Sequence, residues 1–419
     1  MPSILVTGMQ YGDEGKGKIV DCLAEKAEYV VRFQGGPNAG HTIVNKGKKT
    51  ILHQLPSGIV RGCPVILGNG MVLDLNDDKI GKEIREVAEA TGRSEQDIIE
   101  SLYISNCAHL ILPEDVKESE NANTGTGRGI SPTYSNKHAY RGVRVGDIPR
   151  VLNNETEEPE LNKYKEMLKP YAKYIPRITN TQALLNTLYD QGKNLLLEGA
   201  QAIGLDVDHG QWPYVTSSNP SVGGAITGTG LPPTKLNKTV GVFKAYTTRV
   251  HPTREAPLIS EFGNDPTIGK EVEETVRERG GEYGATTGRP RWCGGFDVPL
   301  ALHAIMINGP QHLAMTKLDV LGVLDKIPIC VAYEIDGIKT TVYPPDGREQ
   351  KKAKPVWKFV DGWKGENIRD SKGNLNPKAM AYVEKLEELI GQKFDIISYG
   401  ADRDETITRN DVLPEGWNR

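Results

Sequence analysis

Only 6 of the 419 residues are phenylalanine and only 5 are cysteine, against 46 glycines. The cysteines (Cys22, Cys63, Cys107, Cys293 and Cys330) are scattered and never paired as CxxC. That speaks against a disulfide framework and a cysteine zinc site, and it suggests a reducing, cytoplasmic setting. No apolar run approaches the roughly 20 residues of a membrane span. The first residues lack the basic start and small-residue cleavage site of a secretory signal. An excess of one charge is missing too: 51 Lys+Arg against 55 Asp+Glu leave −4. A balance so near neutral argues against a nucleic-acid coat or a polybasic membrane binder. The glycine excess, in contrast, marks places where backbone must come close to something.

Short apolar runs alternate with helical spacing. Strands are expected at 3–7, 29–33, 42–45, 64–73, 194–197, 240–250, 312–318 and 394–398. Helices are expected at 17–27 and 75–90, with another opened by Asn376-Pro377 and stopped by Gly391. This alternation predicts an α/β fold: a single large domain on a central, mostly parallel sheet. Residues 113–150 and 343–372, polar and rich in glycine, read as surface excursions from it.

Six stretches carry chemistry. Gly12 to Lys18 has the GxxxxGK spacing of a phosphate loop, but Ile19 stands where that motif has Ser or Thr. Backbone N–H groups and the helix start there suit phosphate, and Lys16 or Lys18 can neutralise it. With the hydroxyl missing, Asp13 is a candidate to hold Mg²⁺. In Asn38-Ala39-Gly40-His41-Thr42, at a strand end, His41 is a candidate acid or phosphate donor. The loop 123–130 and the cations Lys137, Arg141 and Arg144 after it suit a second anion. Glu198-Gly199-Ala200-Gln201 offers an amide, Gln201, that can read a base edge. Downstream, Asp206, Asp208 and His209 suit either metal ligation or turn capping. Arg289 and Arg291, on a loop with Thr286 and Thr287, suit a carboxylate held bidentately. Thr316-Lys317-Leu318-Asp319 suits guanine, whose N1–H and 2-amino group one carboxylate accepts together.

In order along the chain, the motifs GDEGKGK, NAGHT, TGRGI, EGAQ, PYVTSSN, GATTGR, TKLDVL and DIISYG resemble those of the adenylosuccinate synthetase family. The resemblance runs from Gly8 to Thr406 and implies a GTP- and Mg²⁺-dependent ligase that joins IMP to L-aspartate through a 6-phosphoryl purine. It implies catalytic roles for Asp13, His41 and Gln201, and Mg²⁺ held by Asp13 and the Gly40 carbonyl. GTP would be bound by Gly12, Gly15, Lys16, Gly17, Lys18, Gly40, His41, Thr42, Arg291, Lys317, Asp319, Ser398 and Gly400. The purine nucleotide would meet Asp13, Asn38, Thr126, Arg141, Gln201, Thr216 and Arg289. Aspartate would meet Thr286, Thr287, Arg289 and Arg291. A homodimer is implied as well, with no nucleic acid or membrane as partner.

The departures from the family pattern cluster around the purine nucleotide. Tyr140 replaces an arginine that in the family reaches a neighbouring subunit's nucleotide, and Arg141 follows it. Pro37 replaces a histidine, Ala202 a glycine, and 251–257 departs from GxGPFPTE. GMP or dGMP, which share the N1–H and 6-oxygen of IMP, therefore stay open as substrates of the same chemistry. A GTP-binding regulatory module is the alternative of another kind.

Overall fold

The computed structural model describes residues 2–122, 126–250, 256–284 and 288–417. Its main sheet runs in the order Thr406–Thr408, Phe394–Ser398, His312–Thr316, Lys238–Lys244, Ser3–Gly8, Leu195–Glu198, Tyr29–Arg32, Val65–Leu67, Leu102–Ser105, Ile178–Thr179. Every neighbouring pair is parallel except the edge pair Phe394–Ser398 and Thr406–Thr408.

Side chains alternate between the two faces of each strand, and that alternation divides the core. Ile4, Val6, Val30, Leu196, Val240, Val242, Ala314 and Ile396 pack on one face against Ile19 and Val20 of the helix Lys16–Leu23 and Ile84 and Val87 of the helix Lys82–Thr91. On the other face Leu5, Val31, Leu195 and Leu197 meet Leu185 and Leu188 of the helix Thr181–Asp190. Phe243, Leu313, Met315, Phe394 and Ile397 form the rest of that face with Phe296 and Tyr382. Each fully buried Val, Leu, Ile or Phe contributes about 1.5–3 kcal/mol. The few phenylalanines are thus spent inside: all but Phe359 are fully buried.

A second, smaller sheet pairs Lys326–Ile335 antiparallel with Ile338–Thr340 and Lys354–Asp361, and parallel with Phe296–Asp297. The segment 343–372 supplies the strand Lys354–Asp361. The segment 113–150 supplies the helices Pro113–Asn121, Ile130–His138 and Asp147–Leu152.

Three sequence expectations need correction. The run 64–73 is two strands, Val65–Leu67 and Val72–Leu73, because the chain at Gly70 passes so near Phe33 that a Cβ there would sit 2.2 Å from the Phe33 carbonyl oxygen. The run 240–250 breaks after Lys244, where the Gln10 amide bonds the backbone of Lys244 and Tyr246 in place of a neighbouring strand. Thr247–Val250 then pairs antiparallel with Arg291–Gly294. The helix of 75–90 begins only at Lys82, after a wider turn at Asp77–Gly81. In contrast, the last helix, Pro377–Ile390, has its Asn376 cap, whose Oδ1 accepts from the Lys378 N–H at 2.9 Å. The five cysteines are free thiols. Among the described residues no helix is long and apolar enough to cross a membrane.

Candidate active site

Loops leaving Ser3–Gly8, Tyr29–Arg32, Leu195–Glu198, His312–Thr316 and Phe394–Ser398 meet at the carboxyl ends of parallel strands, where open α/β sheets bind ligands. The central strand Ser3–Gly8 has Leu195–Glu198 on one side and Lys238–Lys244 on the other, so the chain order switches there.

The first of these loops coils through left-handed backbone at Gly12, Asp13 and Gly15, with φ of 86°, 61° and 78°. Its amides close on Glu14: the Gly12 and Gln10 N–H groups donate to Glu14 Oε1 at 2.8 and 3.1 Å. Lys16 Nζ donates to Glu14 Oε2 at 2.6 Å. Lys18 Nζ instead reaches Ser398 Oγ at 2.7 Å and the Gly400 carbonyl at 2.8 Å, joining the loop to the turn expected to hold guanine. Both ammonium groups expected near phosphate are therefore held by protein oxygens.

Gln201 (φ 55°) also sits in left-handed backbone. Its Oε1 accepts from Gln34 Nε2 at 3.3 Å, while its Nε2 is buried without a protein partner. A Cβ at Gly12 would lie 3.8 Å from Gln201 Cα, and one at Gly35 would lie 2.9 Å from Gln201 Oε1. The Gln201 backbone thus lies against the Asp13 loop and its amide against the loop of Asn38, whose Oδ1 accepts from the Gly36 N–H at 3.2 Å.

His41 lies behind the helix start, where a Cβ at Gly17 would come 3.0 Å from its own Cβ. Its Nδ1 bonds Glu198 Oε1. Glu198 also accepts from the Ser57 N–H at 2.6 Å and Ser57 Oγ at 2.7 Å. Burial pushes the Glu198 carboxyl up, but His41, the Arg32 guanidinium and the Ser57 N–H outweigh it and hold it below the ordinary value. Burial pulls the His41 imidazole below its ordinary value against the attraction of Glu198. Thr42 follows in the strand His41–Asn45.

Arg291 Nη1 donates to Glu282 Oε2 at 2.7 Å, and its Nε lies 2.9 Å from Asp13 Oδ2 as a charge pair without hydrogen-bond alignment. Lys317 (φ 56°) sends its ammonium to the Gly280 carbonyl at 2.7 Å and to Glu282 Oε1 at 2.9 Å. Asp319 is half-buried, and burial raises its carboxyl pKa. The Thr216 N–H donates to the Leu205 carbonyl at 2.8 Å, which ties its loop to the site. Arg289 and Thr126 are exposed; Thr286 and Thr287 lie outside the described residues, as do 123–125. Arg141 is exposed too, and among the described residues no hydrogen bond or ion pair joins its side chain to Asn38, Gln201 or Thr216. Of the two readings of Asp206, capping holds: its carboxylate accepts from the backbone of Asp208, His209 and Ser221 and from Asn219 Nδ2. No group of three or more His, Cys, Asp or Glu that could hold a metal occurs among the described residues.

The family model described as adenylosuccinate synthetase matches residues 5–407. The chain belongs to the adenylosuccinate synthetase family. The enzyme of that name from Cutibacterium acnes is 42% identical over 99% of this chain and 100% of its own. The one from Streptomyces griseus is 42% identical with the same coverage. The solved, fully ligated adenylosuccinate synthetase from Plasmodium falciparum superposes with a TM-score of 0.85 at 33% identity, covering 97% of this chain and 99% of that one. A cyanophage S-2L succinoaminodeoxyadenylate synthetase bound to dGMP and dATP shares the fold at a TM-score of 0.63 and 19% identity, over 98% of this chain and 96% of that one. As an adenylosuccinate synthetase family member the chain is a ligase that joins IMP and L-aspartate in purine biosynthesis and uses GTP.

Reading the motifs missed what holds them in place. Glu198 was visible in EGAQ, but its partners His41 and Ser57 lie 157 and 141 residues away, beyond any local pattern. Arg32 and Glu282 gave no local signal either. Glu198→Gln is expected to lower kcat about tenfold or more, because the imidazole loses the charge that orients it. Steady-state kinetics with all three substrates checks this, and an unchanged kcat would leave the carboxylate serving Ser57 alone.

Proposed function

We propose that Asp13 takes the N1 proton of IMP while the purine 6-oxygen attacks the γ-phosphorus of GTP, releasing GDP. The amine of aspartate then attacks C6 and loses a proton, and phosphate leaves. The reading rests on one observation above the others: the buried, unpartnered Nε2 of Gln201, whose backbone lies beside the Asp13 loop. An unpaired buried donor costs about 1–3 kcal/mol, and a purine oxygen would relieve it. His41 donates to the phosphates; their arriving negative charge opposes the burial that pulls the imidazole below its ordinary value.

Asp13 and the Gly40 carbonyl are both oxygen donors, the set that suits Mg²⁺ held mainly through substrate phosphates. When bound, the ion offsets the gathered negative charge. Lys18, Lys317, Asp319, Ser398 and Gly400 form the guanine end of the GTP site, and Gly12, Gly15, Lys16, Gly17, His41, Thr42 and Arg291 the phosphate end. Asn38, Thr126, Gln201, Thr216 and Arg289 hold IMP, and the loop with Thr286, Thr287, Arg289 and Arg291 holds aspartate. Tyr140 is 98% exposed, which suits a tip meeting a second copy of the chain. In such a homodimer Arg141 supplies the phosphate contact that Tyr140 lacks.

GTP turnover measured with and without L-aspartate, across IMP, dIMP, GMP and dGMP, tests the whole reading. Turnover should require both aspartate and IMP; turnover with dGMP alone would overturn the choice of purine. Arg289→Lys is expected to raise the KM for aspartate about tenfold and the KM for GTP far less, since an ammonium cannot match the planar guanidinium fork. Equal rises in both would remove Arg289 from the aspartate carboxylate.

A further inference from the structure

One fully buried carboxylate, that of Glu282, gathers side chains from separate parts of the site. Its Oε1 accepts from Lys244 Nζ at 3.0 Å, from Lys317 Nζ at 2.9 Å and from the Tyr246 hydroxyl. Its Oε2 accepts from Arg291 Nη1 at 2.7 Å. Lys244 stands at the end of Lys238–Lys244, Lys317 follows His312–Thr316, and Arg291 opens Arg291–Gly294 at the base of the arginine loop. Thus three cations meet at one carboxylate, with Asp13 a second partner of Arg291, and Lys244 and Arg291 are themselves buried.

Buried cations so close together are tolerable only with a carboxylate between them. The sharing shows in the charges. Burial pushes the Lys244 ammonium down to about 8, with Glu282 resisting. The three cations hold Glu282 far below the ordinary carboxylate range in spite of its burial. Without Glu282, Arg291 and Lys317 would repel each other and the buried Lys244, and both loops would have to move.

We propose that Glu282 is a positioning residue whose single carboxylate clasps the aspartate loop, through Arg291, to the guanine loop, through Lys317. The proposal rests on Arg291 serving aspartate, beside its place at the GTP phosphates, and on Lys317 serving GTP. Among the described residues no hydrogen bond or ion pair joins Glu282 itself to Asn38, Gln201 or Thr216, and the charge pair of Arg291 with Asp13 does not pass through Glu282.

Steady-state kinetics of Glu282→Gln in the full chain tests it. The KM values for L-aspartate and GTP should each rise about tenfold or more, while the KM for IMP stays within about threefold. Tyr246→Phe, which keeps the carboxylate and removes one bond to it, should raise the same two values by less. It decides by the same criterion if Glu282→Gln fails to fold. Equal rises for all three substrates, the mark of a merely structural residue, would overturn the clasp. Arg291→Lys and Lys317→Met separate it from the assignments beneath it. If Arg291→Lys raises the KM for aspartate and Lys317→Met the KM for GTP while Glu282→Gln and Tyr246→Phe raise neither, the clasp alone is wrong. If neither moves its substrate, the assignments and the clasp fall together.

Discussion

Asp13→Asn is expected to leave kcat below about 1% of the parent value, the size of loss general acid–base catalysis carries, with the fold intact. Asn matches Asp in shape but cannot take up the N1 proton of the purine. The loop does not depend on the Asp13 carboxylate, because the Gly12 and Gln10 amides donate to Glu14. Arg291 would keep its bond to Glu282. The left-handed backbone at residue 13 (φ 61°) suits Asn at least as well as Asp. Thermal unfolding should therefore match the parent while turnover collapses. A variant retaining more than a few per cent of kcat would take the role of base away from Asp13.

Asp319→Asn should weaken GTP binding about 100-fold, or roughly 2.7 kcal/mol. A carboxylate accepts the guanine N1–H and 2-amino protons together, whereas an amide must turn a donor toward one of them. ITP lacks the 2-amino group, so the preference for GTP over ITP should shrink in the same variant. The acid dependence follows from burial, which raises the Asp319 carboxyl pKa. As pH falls, Asp319 takes up its proton earlier than an exposed carboxyl would. The KM for GTP should then climb with acidification in the parent and stay flatter in Asp319→Asn. Unchanged GTP affinity in a titration would remove Asp319 from the guanine site.

The candidate site residues that sit in local patterns were legible from the order of amino acids. EGAQ and TKLD begin on the last residues of strands, GDEGKGK and NAGHT begin in loops after strands, and short apolar runs made those strands visible. The α/β architecture followed, as did the Asn376 cap and the strand Phe394–Ser398, because short buried apolar runs and capping act over a few residues. Harder to see were breaks imposed by a distant partner. The split at Lys244 comes from the Gln10 side chain, and the split in 64–73 from the close passage of Phe33. The direction of a long side chain was hidden too: Lys18 reads as a phosphate ligand but spans 380 residues of chain to Ser398.

What the sequence determined alone was the class of fold and the family; it also named candidate residues for phosphate, guanine and a carboxylate. Tertiary structure alone decided how those residues are held: His41 on Glu198, Lys16 on Glu14, and Arg291 and Lys317 on Glu282. The reason is physical. Helix and strand formation answer to neighbours within a turn or two, and short motifs to the chemistry of one ligand. A buried charge, in contrast, is stable only beside an opposite charge, and the fold supplies that charge from whichever strand end reaches it.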